Sequence, residues 1–317
     1  TEAREKKISL NWKKTDIHPP PFLGTRIIDD IPLSDLQNFI DWTFFFTSWD
    51  IPRKFPAVFE DEKFADAARP LFDDAQSMIG EIIAKNLLRA RGVYGFWRAN
   101  SEGDDIIVLD NDGVSEKTRL NMLRQQIDRG DSPHACLSDF VAPADSGITD
   151  NIGLFAVTAG IGVEDLSNKF RDSGDDYKSI MASLLADRFA EAASEWLHKR
   201  VRHEWGFPDP IDNSIQDLLD EKFTSIRPAY GYPACPDHSE LEKTFNLLEA
   251  ERIGMQLSEN FAISPASSVS GIYLQNPDSR YFSIGRIGKD QISDYSLRKG
   301  ISIPDSEILL HSNLGYF

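Results

Sequence analysis

The chain has 317 residues, of which 41% are hydrophobic and 27% are charged, a composition typical of a globular protein with a sizeable core. Its formal net charge of −17 disfavours binding to nucleic acid or to anionic membrane surfaces, because both require clustered Lys and Arg. No apolar run reaches the length of a membrane span, and the charged N-terminus lacks the apolar core of a secretory signal. Two cysteines make no disulfide framework, which favours a cytoplasmic location.

The first part of the chain is predicted to contain an arm and two helices. Residues 1–24, which end in the Pro-rich "DIHPPPFLG", are predicted to be a linker or extended arm, and residues 25–317 a folded domain. Ser34 is a suitable N-cap for a helix through "DLQNFIDWTFFF", where apolar residues recur at helical spacing. The stretch "ADAARPLFDDAQSMIGEIIAKNLLR" predicts a second, amphipathic helix.

The middle of the chain changes to a strand pattern. "GVYGFWRAN" and "DDIIVLD", joined through "SEGD", predict a β-hairpin, and "CLSDFVAP" and "DNIGLFAVTAG" predict two short strands. Asp175 and Asp176 then open a long amphipathic helix, whose apolar positions include Ile180, Leu185 and Phe189.

The last third is predicted to contain two more helices and a hairpin. "SELEKTFNLLEAERIG" indicates a helix capped by Ser239 and closed by Gly254. "GIYLQNPDSRYFSIGRIG" predicts a hairpin that turns at "NPDS", and a helix follows through "KDQISDYSLRKG". Early and central helices with hairpins between them favour an α+β fold, a single large domain with a bent antiparallel sheet flanked by helices.

The two cysteines suggest two hypotheses, a zinc site and a nucleophilic cysteine. Cys235 and His238 have C-x-x-H spacing, and His134 and Cys136 have H-x-C spacing, which together would supply four zinc ligands. Prolines on both sides of Cys235 argue against a zinc loop, and Cys136 is expected to be a small buried side chain. Cys235 and His238 would also supply the nucleophile and the base of a catalytic dyad, although their spacing does not ensure that the side chains meet.

A glycine pair after a predicted strand suggests nucleotide binding only weakly. Gly160 and Gly162 begin a dinucleotide-binding fingerprint, but Asp165 stands at the third glycine position. A carboxylate there would repel a pyrophosphate, so this reading is rejected.

The stretch "IRPAYGYPACPDHSE", residues 226–240, is called the proline loop below. Pro228, Pro233 and Pro236 fix φ and remove amide donors, so the loop is stiff before any ligand arrives and loses little entropy on binding. Gly231 permits positive φ or close backbone approach. Arg227 would hold a carboxylate in a bidentate fork. The alternative, equally open from these residues, is a rigid structural turn in which Arg227 pairs with an acid of the core.

Within the proline loop, "RPAYGYPACPDH" resembles the R-P-A-x-G-Y-P-A-C-P-[DE]-H signature of the C-terminal activation domain of cobalamin-dependent methionine synthases. The same family is resembled, in the same order, by "IDWTFFFTSW", "RGVYGFWRANSEGDDI", "LRQQ", "CLSDFVAP", "SVSGIYLQNPDSRYF" and "DYSLRKG". The resemblance runs from about Thr25 to the C-terminus.

The resemblance implies a domain that binds S-adenosylmethionine and reactivates a methionine synthase. When the cobalamin is oxidised to cob(II)alamin, an electron from a flavodoxin-type partner reduces it, and methyl transfer from S-adenosylmethionine then traps it as methylcobalamin. Tyr232 is implied as the catalytic side chain that faces the corrin. The residues implied for the ligand are Asp41, Glu191, Glu221, Arg227, Ala229 through its backbone, Gly231, Tyr232, Tyr281 and Phe282. The chain departs from the family at Phe44, where Pro is frequent, and at Phe282, where some relatives carry a second Tyr.

The resemblance also implies partners. The cobalamin-binding module, in the same or a separate chain, is required because this sequence contains neither a D-x-H-x-x-G cobalamin motif nor a zinc-binding cysteine set for homocysteine. Arg53 and Lys54 in "PRKFP", or the basic residues of "HKRVRH", are candidates for contacting an acidic flavodoxin-type donor. Two other functions stay open: a non-catalytic docking module that caps a corrinoid protein and recruits a reductase, and a zinc enzyme built on Cys136, Cys235 and His238.

Overall fold

The computed structural model describes residues 2–13, 17–127, 130, 132–207, 217 and 222–316. Its strands are β1 (Gly24–Ile31), β2 (Arg89–Glu102), β3 (Asp105–Leu109), β4 (Glu116–Asn121), β5 (Asp150–Ile161), β6 (Gln256–Leu257), β7 (Ile263–Ser264) and β8 (Ser268–Leu274). Within this described part, a six-stranded sheet has the order β4-β3-β2-β5-β8, with β1 also paired to β2, and β6 pairs with β7 separately.

The long strand β2 organises the sheet. One edge of β2 pairs antiparallel with β5 from Arg89 to Ala99, while the other edge pairs first with β1 and then with β3. Register shifts interrupt both the β1 and the β5 pairing, and such bulges bend a sheet. The predicted β2–β3 hairpin and the antiparallel α+β fold are therefore confirmed.

Helices flank this sheet. They are α1 (Glu2–Glu5), α2 (Leu33–Leu36), α3 (Trp42–Ser48), α4 (Ala65–Lys85), α5 (Val163–Asp172), α6 (Asp176–Trp205), α7 (Glu240–Leu248), α8 (Lys289–Lys299) and α9 (Ile303–Leu309). Short 3₁₀ turns occupy Gln37–Phe39, Ala57–Glu60, Leu137–Phe140, Ala144–Ser146, Ala250–Ile253 and His311–Asn313.

The two strongest helical patterns are confirmed. α4 buries the predicted apolar face, including Leu71, Met78 and Ile82. α6 begins where predicted, because the side chain of Asp175 accepts a hydrogen bond from the amide of Lys178. Ile180 is an exception: it is 52% exposed and lies on the solvent face of α6.

The predicted helix after residue 33 is broken in two. Ser34 lies inside α2 and Pro32 occupies the N-cap position, so the predicted cap is wrong. Ile40 and Asp41 have extended backbone, which stops the helical path before α3 begins. The Asp41 carboxylate restarts it by accepting a hydrogen bond of 2.8 Å from the amide of Thr43.

Two strand predictions are wrong. "CLSDFVAP" forms the 3₁₀ turn Leu137–Phe140, because Asp139 accepts a hydrogen bond from the Cys136 amide and closes the turn locally. The "NPDS" turn exists, but the chain after it does not return along β8, because the proline loop occupies that edge.

The predicted helix after residue 238 is shorter than its pattern. α7 ends where Glu249 adopts positive φ, and a 3₁₀ turn carries the chain to Gly254. Ser239 occupies the N-cap position, but its side chain makes no capping hydrogen bond. It is instead bound to Asp237, whose Oδ1 accepts hydrogen bonds from the Ser239 amide and hydroxyl.

Each face of the sheet carries its own hydrophobic core. Tyr94 and Phe96 of β2 pack on the side of α4 and α6, whereas Val93 and Trp97 pack on the side of α7. A third cluster surrounds Tyr295 of α8 near the C-terminus. The alternation along β2 places helix α6 against one face of the sheet.

The N-terminal arm contacts the body of the domain between residues 4 and 8. The guanidinium Nε of Arg4 donates to Asp104 at 2.8 Å, and the amide of His134 donates to the Lys6 carbonyl at 2.8 Å. Ile8 is buried in the α7-side core. Among the described residues, no helix combines the length and the apolar character that crossing a membrane requires.

Candidate functional site: the proline loop and helix α6

The proline loop is held against the edge of β8 that β5 leaves free. Ile226 and Leu274 exchange backbone hydrogen bonds of 3.2 and 3.1 Å, and the Ile272 amide donates to the Pro228 carbonyl at 2.9 Å. Gly271 makes this approach possible, since a Cβ there would lie 2.4 Å from the Pro228 oxygen. The start of the loop is therefore an added strand segment on the sheet.

The loop then turns back at Gly231, which has φ of 87°. Its amide donates to the Cys235 carbonyl at 2.8 Å, which closes the turn. The imidazole of His238 packs over Gly231 so closely that a Cβ would lie 2.3 Å from the His238 Cε1. The sequence predicted either positive φ or close approach at Gly231, and both occur.

Helix α6 has three side chains on one face that contact the proline loop or the residue before it. Glu191 Oε1 accepts a hydrogen bond of 2.7 Å from the Tyr232 hydroxyl, and Glu195 pairs with Arg227. Such positions, four residues apart, are neighbours on a helix surface. One turn further along, the ring of His198 lies 3.4 Å from the hydroxyl of Ser225, just before the loop.

Arg227 is bound on one side of its guanidinium. Nε donates a hydrogen bond of 2.9 Å to Glu195 Oε2, and Nη2 lies 2.8 Å from the same oxygen in the ion pair. The backbone amide of Arg227 donates to the Tyr281 hydroxyl at 2.9 Å. Although burial opposes the charge, the carboxylate of Glu195 raises the pKa of Arg227 above its ordinary value. Pairing with a core acid, one of the two alternatives, is thus present, and among the described residues it engages one edge of the fork.

Two tyrosines show open ring surface around Arg227. Tyr232 is 49% exposed and Tyr281 is 37% exposed. Burial and the negative charge of Glu191 raise the pKa of Tyr232, so its hydroxyl stays protonated and donates to Glu191. A cavity of about 270 Å³ opens beside Tyr232, lined also by Glu191, His238 and residues 261–263 and 266–270.

The other implied residues lie at different distances from this centre. Ala229 is buried and bridges to Gly271 on β8, so its backbone is fixed beside Arg227. Phe282 is partly buried between two hydrophobic clusters. Asp41 caps α3 and makes no direct hydrogen bond to the proline loop among the described residues. Glu221 lies outside the described residues.

The cysteines are packed as apolar side chains. Burial raises the pKa of the Cys136 thiol to about 12 and that of Cys235 well above its ordinary value, so neither is a thiolate at neutral pH. Cys235 Sγ lies 4.0 Å from the sulfur of Met122. Across the described part of the chain, no three His, Cys, Asp or Glu side chains form a metal-binding group. The structure supports neither the nucleophile nor the zinc reading.

The candidate basic segments differ in what they expose. Lys54 is exposed, and Arg53 is half exposed while its Nε donates to Asp61 at 2.5 Å. In "HKRVRH", Arg202 is 1% exposed, so its inclusion in a basic surface is wrong. Arg200 is also partly neutralised, because it pairs with Glu204 at 2.9 Å.

Sequence reasoning did not single out Glu195 or Gly271. The acids at 191 and 195 have the spacing of one helix face, which was a usable signal. Nothing in the local pattern indicated that this face meets the proline loop, because the pairing joins segments that are distant along the chain.

Known proteins are similar to this chain in sequence and in fold. The sequence model of the family described as vitamin B12 dependent methionine synthase, activation domain, matches residues 32–300. The crystal structure of the MetH reactivation domain bound to AdoHcy superposes with a TM-score of 0.93 at 41% sequence identity, covering 100% of this chain and 98% of that one. With a family match over most of its length and a full-length structural relative, the chain belongs to the activation domains of vitamin B12-dependent methionine synthases.

Proposed function

We propose that this chain binds S-adenosylmethionine at the proline loop and presents its methyl group to the cobalamin of a methionine synthase. The observation that carries the proposal is the edge of the Arg227 guanidinium that has no partner among the described residues, beside two exposed tyrosine rings. The related reactivation domain, 41% identical over the whole chain, has AdoHcy bound, which supports a ligand of the same chemical class here.

The residues fit such a ligand. The free Nη1–Nη2 edge of Arg227 matches a carboxylate in a bidentate fork. The faces of Tyr232 and Tyr281 attract a sulfonium cation through the ring quadrupole, and Asp41 or Glu191 would pair with the ammonium or bind hydroxyls. The fixed backbone at Ala229 and Gly231 supplies peptide groups for polar edges, with Phe282 and Glu221 as further contacts implied by the family resemblance.

The chemistry requires positioning more than proton transfer. A bound corrin would supply reduced cobalt as the nucleophile, and the leaving group would be a neutral thioether, so this chain would not need to provide a general base. Residues on the proline loop and α6 hold the donor with its methyl group toward the corrin, and Tyr232 is the side chain proposed to face it. Catalysis by this chain therefore comes from orientation.

The proposal includes partners and location. The corrin is held by the cobalamin-binding module of the synthase, and one electron comes from a flavodoxin-type donor that contacts Arg53 and Lys54. Lys54 is exposed in a chain with a net charge of −17, which makes it a local attraction for an acidic donor. Two buried, unbridged cysteines are consistent with a cytoplasmic protein.

Arg227→Ala tests the proposal by isothermal titration calorimetry with S-adenosylmethionine and S-adenosylhomocysteine. We expect saturable binding by the wild type and a loss of about 2–5 kcal/mol in the variant, because truncation leaves the ligand carboxylate unpaired. Unchanged affinity would remove the clamp role of Arg227. No affinity in the wild type, together with a stable complex with a cobalamin protein, would instead favour the docking-module alternative.

A further inference from the structure

Glu195 is buried at the centre of the contact between α6 and the proline loop. It is 5% exposed, and its Oε2 accepts a hydrogen bond from Arg227 Nε and lies 2.8 Å from Nη2 in the ion pair. Within the described part of the chain, it is the side chain that hydrogen-bonds the Arg227 guanidinium.

This bond fixes the direction of the fork. A guanidinium is planar and has five N–H groups, so binding along the Nε–Nη2 edge leaves Nη1 and the second Nη2 hydrogen on the adjacent edge. The backbone on the Arg227 side is fixed as well, since the Arg227 amide donates to Tyr281 and the neighbouring Pro228 carbonyl is bound to β8. The side chain is thus held at both ends, and its free edge has one orientation.

The rigid support comes from the helix. Glu195 lies between Glu191, which binds Tyr232, and His198, which lies beside Ser225. A single helix face therefore aligns two points of the loop and the residue that precedes it, with the charged pair in the middle.

We propose that Glu195 is a positioning residue for Arg227, which orients the free guanidinium edge toward the carboxylate of the bound nucleoside and so selects ligands that carry that carboxylate. This inference rests on the proposed function. It assigns Glu195 no contact with the ligand: it acts through Arg227, and its loss should affect recognition of one ligand group and not of the rest.

The test compares S-adenosylhomocysteine with its decarboxylated analogue, which differs by the carboxylate alone, in titration calorimetry. In Glu195→Gln we expect the affinity for S-adenosylhomocysteine to fall about 10-fold or more, because an ordering hydrogen bond to a charged group is weakened. The affinity for the decarboxylated analogue should change less than about twofold. Retained binding of the analogue also shows that the site of the variant is folded.

Three further variants separate the outcomes. Glu81→Gln removes the same charge from an exposed pair with Lys85 and should leave both affinities unchanged. Glu195→Asp keeps the charge on a shorter stem and should restore part of the discrimination. Arg227→Ala should abolish the discrimination if the proposed clamp is right.

Equal losses for both ligands in Glu195→Gln, or an affinity for S-adenosylhomocysteine that stays or rises, would overturn the positioning role while leaving the clamp intact. If Arg227→Ala keeps the wild-type discrimination, the clamp of the proposed function fails and the inference fails with it. If the wild type binds neither ligand, the proposed function itself is wrong.

Discussion

Gly271 determines how closely the proline loop approaches the sheet. A Cβ at this position would lie 2.4 Å from the Pro228 oxygen and 2.9 Å from the Ala229 Cα. Both neighbours are backbone atoms, which cannot rotate away as the end of a side chain does. Only glycine at position 271 therefore allows the loop to lie this close to β8.

Gly271→Ala is expected to push the loop off β8 and to lower the free energy of unfolding by about 1–3 kcal/mol, as overpacking does in cores. Its affinity for S-adenosylhomocysteine should fall with it, because Arg227 moves with Pro228. Gly92→Ala is the control: it also lies in a strand, but its Cβ would meet the ends of the Val157 and Ile31 side chains at 3.3 and 3.4 Å. Denaturant unfolding and calorimetry would contradict this account if both variants behaved alike.

His198 is a second residue whose surroundings determine its chemistry. It is fully buried, stacked on Tyr273 at 5.1 Å with an interplanar angle of 10°, and met edge-on by Phe223. Burial, and then the positive charges of Arg202 and Arg227, lower the pKa of His198 well below its ordinary value of 6.5. The imidazole is therefore neutral in the folded protein at pH 6.

This neutrality makes stability depend on pH. Below pH 6.5 the unfolded chain binds a proton at His198 that the native state excludes, so the free energy of unfolding falls as pH falls, by about 1.4 kcal/mol per pH unit. His198→Phe keeps the stack and removes the titration, so relative to wild type it should gain about 2 kcal/mol between pH 6.5 and pH 5. Chemical unfolding at several pH values measures the difference. A His198→Phe profile as steep as that of the wild type would refute the assignment.

At the scale of elements, the sequence predicts segments whose burial is one-sided. α4 and α6 were predicted because apolar residues follow a helical period over many turns. The β2–β3 hairpin was predicted because its two strands are adjacent in sequence. "CLSDFVAP" was mistaken for a strand because it is buried on all sides. A segment buried in this way shows no periodic pattern of apolar residues that would distinguish a turn from a strand. The predicted second strand of the "NPDS" hairpin does not form, because the proline loop, which is distant in sequence, pairs with that edge of β8.

Asp41 links an element to the site. Its carboxylate caps α3, yet the family resemblance implies it for ligand binding, and the two roles are separable. Asp41→Ala should lower the free energy of unfolding by about 1 kcal/mol through loss of the cap, whereas Asp41→Ser keeps a capping oxygen and should cost less than about 0.5 kcal/mol.

Asp41→Ser should nevertheless weaken S-adenosylmethionine binding, because a hydroxyl does not replace a carboxylate opposite an ammonium. Unfolding curves and calorimetry on the same two variants provide the comparison. If Asp41→Ser matches wild type in both measurements, Asp41 is a helix cap and nothing more.

At the scale of the molecule, the order of strands in the sheet could not be predicted from the sequence. β2 pairs with β1, which precedes it in the chain, and with β3 and β5, which follow it, and this pairing depends on the whole core. For the same reason, only part of the candidate site could be predicted from the sequence. Arg227, Gly231 and Tyr232 stand in one stiff stretch that composition alone singles out. Glu195, their support, belongs to a helix whose docking against the loop is a long-range result.

The N-terminal arm shows how the whole molecule is closed. Arg4 joins Asp104, which also accepts from the buried Arg124, and reaches Asp294 of α8 at 2.6 Å. Ile8 adds an apolar contact to the α7-side core, and the Lys6 carbonyl satisfies the His134 amide. The arm thus connects a charged network with one of the two cores.

Deleting residues 1–13 should therefore lower the free energy of unfolding by about 2–5 kcal/mol, from the exposure of the Ile8 site and the loss of a partner for the His134 amide. Ligand affinity should stay within about twofold, because among the described residues no hydrogen bond or ion pair joins residues 1–13 to the proline loop or to α6. Arg4→Ala should account for up to about 1 kcal/mol of this loss in the free energy of unfolding, and its share should shrink with added salt. Lys13→Ala is the control, because it removes the same charge at an exposed position and should not measurably change the free energy of unfolding. A truncated chain as stable as the full one would show that the arm is the dispensable linker that its composition predicts, and that its contacts contribute no net stability.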